Sequence, residues 1–235
     1  MICAGCSKRF DTDYSKANEK TDSLDEYGMT INTITTIDDN RSAKQNAIDQ
    51  TIGVKGIKKE SLLYKVETVA TTSDLKTGNV TASENAYTYW NNAYFYDYPG
   101  VKYKSGVEKE AALKNIRSLM NVISFEEEDM ISLAKEYEDE YVIYTFEVEY
   151  EAVSDYVKIL LQSAVNNFEN VNFKPSIVTA MAKVNKAEII TDRELYVEYE
   201  GETGERIVLE IYTSLLEDIP KLEVPDAGKY ANITG

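Results

Sequence analysis

The sequence predicts an α+β fold that is mainly β: a curved antiparallel sheet, an unclosed barrel, with two main helices covering its concave face. Three observations lead there. Alternating runs rich in Val, Ile and Thr recur in both halves of the chain, as half-buried strands require. Turn residues separate these runs at short intervals, so that consecutive strands pair antiparallel. Two stretches of helical period interrupt the strands in mid-chain, each with one apolar stripe. A twisted sheet of about ten strands curls or splits. If it curls, amphipathic helices cover its hollow face.

Each element has its own justification. Residues Ser7–Glu26 are polar, with Phe10, Tyr14 and Leu24 as scattered large apolar side chains; they read as a flexible tether. From Tyr27, Met29, Ile31, Thr33, Thr35 and Ile37 alternate with smaller or polar partners, and Asp38-Asp39-Asn40 makes a turn. Ile48, Gln50, Ile52 and Val54 mark a second strand, Leu62–Thr72 a third, and Thr77-Gly78-Asn79 turns into a fourth.

The best-defined hairpin runs from Tyr87 to Tyr98, with Asn91-Asn92 supplying the two positive-φ residues of a tight turn. That register pairs Tyr89 with Tyr94 and Tyr87 with Tyr96 on one face, and leaves Thr88, Trp90 and Phe95 on the other. Val101-Lys102-Tyr103 resumes the strand after Pro99-Gly100.

Ser105 and Glu108 fit a capping box, opening a helix striped by Ala112, Ile116, Leu119, Met120 and Ile123. Ser124 and Glu127 repeat that pattern for a short helix through Met130. A strand pair follows at Ser132–Tyr137 and Tyr141–Tyr150, turned by Glu138-Asp139-Glu140. The second long helix spans Ala152–Asn167, with Val153, Val157, Leu160, Leu161, Ala164 and Phe168 on its apolar side. Ile177–Ile190 reads as one long strand, then Glu194–Glu200 and Glu205–Thr213 form a hairpin across Gly201–Gly204. The tail from Pro220 is irregular.

Composition narrows the function classes. The 235 residues suit one domain over 27–235. The net charge of −16, from 41 acidic and 25 basic residues, opposes nucleic acid and anionic headgroups. Histidine is absent, which rules out a Ser-His-Asp triad and removes the commonest metal ligand. Glu126-Glu127-Glu128-Asp129 reads as an acidic first turn rather than a cation site. With no Gly-rich phosphate loop and no Gly-x-Ser-x-Gly elbow either, the expectation is a non-enzyme without cofactor or metal.

Both cysteines, Cys3 and Cys6, lie at the start, so no disulfide staples the body. Ala4-Gly5-Cys6 has the form of a lipobox end, with Cys6 as the lipidated residue and residues 1–26 as its remnant and tether. The residues before Cys6 are too few for a complete signal peptide, so this reading takes Met1 as a shortened start. It also departs from the usual pattern in having Cys3 where Leu is typical. Cys3-Ala4-Gly5-Cys6 is equally a C-x-x-C spacing, but a polar stretch follows where redox chemistry wants a βαβ frame.

The order of strands, helix, short hairpin, helix and strands resembles the lipoprotein-localisation carriers LolA and LolB, and within that group a set of lipoproteins of Gram-positive bacteria. The resemblance runs from about Tyr64 to Tyr230, carried by the Tyr87–Tyr96 hairpin and the closing Leu222-Glu223-Val224-Pro225-Asp226-Ala227-Gly228-Lys229-Tyr230. It implies a lipid-anchored protein on the outer face of the cell membrane that holds a hydrophobic, lipid-like ligand. Val157, Leu160, Leu161 and Ala164 are the candidate cavity residues. The same stripe fits plain core packing, and the alternative function is an envelope interaction module with a filled core.

Overall fold

The computed structural model describes residues 13–38, 42–165, 175, 177–200 and 204–233, with side chains in 162–165 not among them. Cys3, Cys6, the Ala164 side chain and Phe168 therefore lie outside the described residues. In chain order the elements are α1 (Tyr14–Asp22), β1 (Tyr27–Asp38), β2 (Ala43–Lys55), β3 (Leu63–Asp74), β4 (Val80–Trp90), β5 (Ala93–Tyr98) and β6 (Val101–Gly106). Then follow α2 (Lys109–Met120), β7 (Met130–Tyr137), β8 (Tyr141–Val148), α3 (Asp155–Val165), β9 (Ile177–Asn185), β10 (Ile190–Glu200), β11 (Arg206–Leu216) and β12 (Ala231–Asn232).

Among the described residues twelve strands form one curved, unclosed sheet in the order β12-β6-β5-β4-β3-β2-β1-β11-β10-β9-β8-β7. Each N-terminal strand pairs with the next, each C-terminal strand does likewise, and β1 against β11 joins the halves. The fold is thus two meanders sewn together by its first and last long strands. β1 alternates as expected: Met29, Ile31, Thr33, Thr35 and Ile37 are buried, and their neighbours are half-buried. The Asn91 and Asn92 turn has φ of 49° and 58°, and the pairs Tyr89↔Tyr94 and Tyr87↔Tyr96 form in the expected register.

The three helices described share one face of the sheet. The Tyr14 ring of α1 meets Tyr144 and Phe146 of β8 edge-on, at 5.6 Å each. α2 buries Ala112, Ile116 and Met120, and α3 lies against β11 with Val157 and Leu161 sealed from solvent. These residues belong to one buried cluster with Ile31, Val66, Val197 and Leu209 of the sheet.

The other face carries polar side chains and one crossing segment. Residues 217–230 run along a single row of cross-strand neighbours: Gly28, Gly53, Lys65, Thr88, Phe95 and Lys104. Leu222 packs over Gly53, the Tyr230 ring meets Phe95 at 5.1 Å, and Lys104 donates to the Ala227 carbonyl at 3.3 Å. The segment then turns into β12, which pairs parallel with β6. This strap explains why Phe95 and Thr88 are buried on the face away from α1, α2 and α3.

Several expectations need correction. Residues 14–22 are not tether but helix: Asp13 caps the Lys16 amide, and Tyr14, Ala17, Asn18 and Thr21 are buried. Their spacing puts all four on one helical face, which a count of large apolar residues overlooks. The Ser105–Glu108 capping box does not form; Ser105 stays in β6, paired with Tyr94, and Glu108 caps by its backbone alone. In the short turn Glu127–Asp129 the box is made by Glu126 and Asp129, because Ser124 is bonded to Asn18. Ile177–Ile190 is not one strand: Asn185 accepts from the Ala187 and Ile189 amides and Glu188 takes φ of 58°, making a tight turn. The second long helix starts at Asp155, after a 3-10 turn at Tyr150–Ala152.

Candidate ligand-binding site

The space between helices and sheet is the natural place for a ligand, and the four residues named from the sequence face it unequally. Val157 and Leu161 are fully buried. Leu160, half-buried, packs on the same cluster. The Ala164 side chain is outside the described residues. α3 brings Val157 and Leu161 together because i and i+4 lie on one helical face.

At the β7–β9 end an opening of about 380 Å³ adjoins this layer. Its apolar wall is Ile131, Val148, Ile177 and Val178, and Tyr150 with Glu151 of the 3-10 turn forms its α3 side. Val148 and Val178 are members of the buried cluster, so the opening touches the core directly. Glu147 and Glu149 stand on the same rim. Burial, reinforced by Glu151, pushes the Tyr150 hydroxyl above its ordinary pKa. A volume of this size falls in the range that holds small ligands.

The sequence reading missed these wall residues. Their signal was the period-two alternation of β8 and β9, which turns Val148 and Val178 inward on the helix-bearing face. It gave no hint that Ile131 would stand 59% exposed beside them.

At the other end the tyrosine hairpin is covered by α2. Tyr64, Tyr87, Tyr89 and Tyr94 touch edge-to-face or stacked, with centroids 5.4–6.0 Å apart. The Asn115 amide donates to the Tyr64 and Tyr87 hydroxyls at 3.2 Å and reaches Tyr94 at 3.4 Å, while Tyr64 and Tyr94 bond each other. Burial drives the Tyr64 hydroxyl far above its ordinary pKa. It moves Tyr87 up to about 12, although the Asn115 bond acts the other way. These rings are packing partners with satisfied hydroxyls; the hairpin is a wall of the core.

Among the described residues no helix is long and apolar enough to cross a membrane.

No family model matches the chain. No curated protein matches it either. Among solved structures it is similar to LprF from Mycobacterium bovis, with 8% identity, 91% of this chain and 94% of that one covered, and a TM-score of 0.43. It is also similar to a DUF1329 family protein from Desulfovibrio piger, with 9% identity, the same coverages of 91% and 94%, and a TM-score of 0.27. Both likenesses are distant.

Proposed function

We propose that this protein is a lipid-anchored, non-enzymatic binding protein on the outer face of the cell membrane, which holds a hydrophobic ligand between its helices and its sheet. One observation carries the reading: an opening of about 380 Å³ whose wall residues Val148 and Val178 are part of the buried apolar cluster. The ligand's apolar part enters there and reaches the layer under α3, where Val157, Leu160 and Leu161 form the roof. Entry needs α3 to move, since Val157 and Leu161 are closed off as the protein stands. The helix-bearing face is, on this reading, the concave one. The kinship with LolA-type carriers belongs to the same proposal.

Cys6 carries the anchor. Because α1 begins at Tyr14, the residues linking Cys6 to the domain span about 25–30 Å at full extension. Two or three acyl chains hold such a protein firmly, where one would not.

The test is native mass spectrometry and organic extraction of the full chain. We expect a co-purifying hydrophobic molecule, depleted in Ile177→Lys, which charges the exposed rim without touching the core. A chain that is always empty and indifferent to that change overturns carriage. Labelling with a fatty-acid analogue tests the anchor, and Cys6→Ser abolishes it.

A second reading has its own support. Val157 and Leu161 are sealed, and the β7–β9 opening is lined by other residues. A solid core of this kind suits an interaction module that uses its outer faces.

A further inference from the structure

A pocket of about 250 Å³ opens at the end of the sheet where β3, β4 and the start of α2 meet. Its walls are the β2–β3 loop with Glu60 and Ser61, the β4–β5 turn with Asn91 and Asn92, and Lys109, the first residue of α2. Leu62 and Tyr89 close it on the side of the core, and Trp90 lines it from the opposite face of β4. Bonds within the protein hold these walls. The Asp25 carboxylate accepts from the Lys58 amide at 2.6 Å, and the Asp25 carbonyl accepts from the Ile57 amide at 3.2 Å. Gly56 takes φ of 77°, and a methyl group there would stand 2.6 Å from the Ser61 carbonyl oxygen. Across the pocket the Tyr89 hydroxyl donates to Asn92 Oδ1 at 3.1 Å, and the Lys109 ammonium donates to the Lys59 carbonyl. Walls already ordered in this way cost a ligand little to organise.

The groups these walls present are unused. Trp90, the one tryptophan of the chain, is half-buried between its cross-strand neighbours Leu63 and Ala93. Among the described residues its ring has no aromatic or cationic partner, and its indole N–H has no acceptor. The Asn91 amide, the Ser61 hydroxyl and the Glu60 carboxylate also have no hydrogen-bond or ion-pair partner among the described residues. The pocket therefore offers a flat apolar face, donors, acceptors and one charge of each sign. Glu60 and Lys109 stand on the same rim, so neither a cation nor an anion meets a one-sided field. An ammonium group is held by a cage of ring faces. Here Trp90 supplies the one free face, because Tyr89 is stacked on Tyr64 at 5.6 Å.

We propose that this pocket binds one pyranose residue of an uncharged glycan, stacked by its C–H face on Trp90 and held at its rim hydroxyls by Asn91, Ser61 and Glu60. A sugar ring has an apolar C–H face and a polar rim, and the negative face of the indole attracts those C–H groups. Each rim hydroxyl both donates and accepts, so it pairs with the Asn91 amide and with the Glu60 carboxylate alike. The volume is below that of a drug-sized site and suits a single ring, with the rest of the glycan left in solvent. The net charge of −16 neither attracts nor repels such a ligand. This site is separate from the opening at β7–β9, and it does not depend on carriage of a hydrophobic ligand there.

Trp90 reports on its own site, because no other tryptophan contributes to the emission. The experiment titrates the full chain with chitotriose, cellotriose and maltotriose, three uncharged glycans, and follows indole fluorescence. A saturable change is expected with at least one of them. Asn91→Gly keeps the positive φ of the turn while removing the amide, and is expected to weaken that glycan about tenfold. Trp90→Thr, a good strand former, abolishes binding as read by calorimetry, with the sheet checked by circular dichroism. If Trp90→Thr does not fold, Asn91→Gly decides alone, since it retains the reporter. Choline and inorganic phosphate leave the emission unchanged. The proposal falls if none of the three glycans gives a saturable response, or if Asn91→Gly binds as tightly as the unaltered chain. A response to choline that is lost in Glu60→Gln, or to phosphate that is lost in Lys109→Gln, marks a charged ligand and overturns it as well. Ile177→Lys leaves glycan binding intact; loss there would place the response at the β7–β9 opening and overturn this site.

Discussion

Gly28 lies directly under Pro220. A methyl group added at Gly28 would stand 2.7 Å from the Pro220 ring and 2.8 Å from the Asp218 carbonyl oxygen. The missing side chain is what lets the C-terminal strap cross the sheet flat, and the strap in turn buries Phe95 and sets β12 against β6. Gly28→Ala is therefore expected to destabilise the fold by about 1–3 kcal/mol, the cost of overpacking. Urea unfolding measures the loss. Faster amide exchange confined to 217–232 locates it; exchange unchanged in that segment contradicts the strap's dependence on Gly28.

Asn115 ties α2 to three tyrosines of the sheet. Asn115→Ala leaves those buried hydroxyls short of a donor, at about 1–3 kcal/mol. Asn115→Asp, an acceptor where a donor is needed, is expected to cost at least as much near neutral pH. Equal stability of all three proteins would show that the amide contributes nothing.

Alkaline stability follows from the same cluster. Tyr87 is raised to about 12 and Tyr64 further, both chiefly by burial, against about 10 in the unfolded chain. The unfolded state therefore releases protons first, and ν_U falls below ν_N as pH passes 10. Stability is then fully present below about pH 10 and declines as pH rises toward 12. Absorbance at 295 nm should show these hydroxyls ionising together with unfolding. Ionisation of every tyrosine near pH 10 with the sheet intact would contradict their burial.

Leu161→Ala separates roof from core. If Leu161 is only packed, the substitution costs about 2–5 kcal/mol and leaves the extracted ligand unchanged. As part of the roof it also changes which ligands are retained, which mass spectrometry of the extract detects. We expect both effects.

Arg193→Met replaces a buried, incompletely bonded cation by an apolar side chain of similar reach. The relief from desolvating the charge offsets the about 1–3 kcal/mol lost by leaving the Met120 carbonyl and the Asn18 oxygen without this donor. A gain or no change in urea midpoint is expected. A loss of several kcal/mol would mean that Arg193 holds α1 and α2 together more strongly than its bonds at 2.8 and 3.4 Å suggest.

What the sequence determined by itself is the strand pattern and its local turns. Side-chain alternation in β1 forces one face inward, and Asn91-Asn92 admits the positive φ that a two-residue hairpin needs; both are properties of neighbouring residues. It also marked Val157 and Leu161 as inward-facing, through helical spacing alone. Only the tertiary structure decided the rest. Whether Tyr14–Asp22 is tether or helix depends on a groove made by β8, β10 and the segment after α2, far along the chain. Nothing near Gly28 in sequence announces Pro220 above it, and nothing near Ile131 announces that it shares an opening with Val178, since these arrangements close over many residues and depend on how the sheet curves. Local pattern fixes which way a side chain points; what it meets there is set by packing between distant segments, and that is where the candidate sites lie.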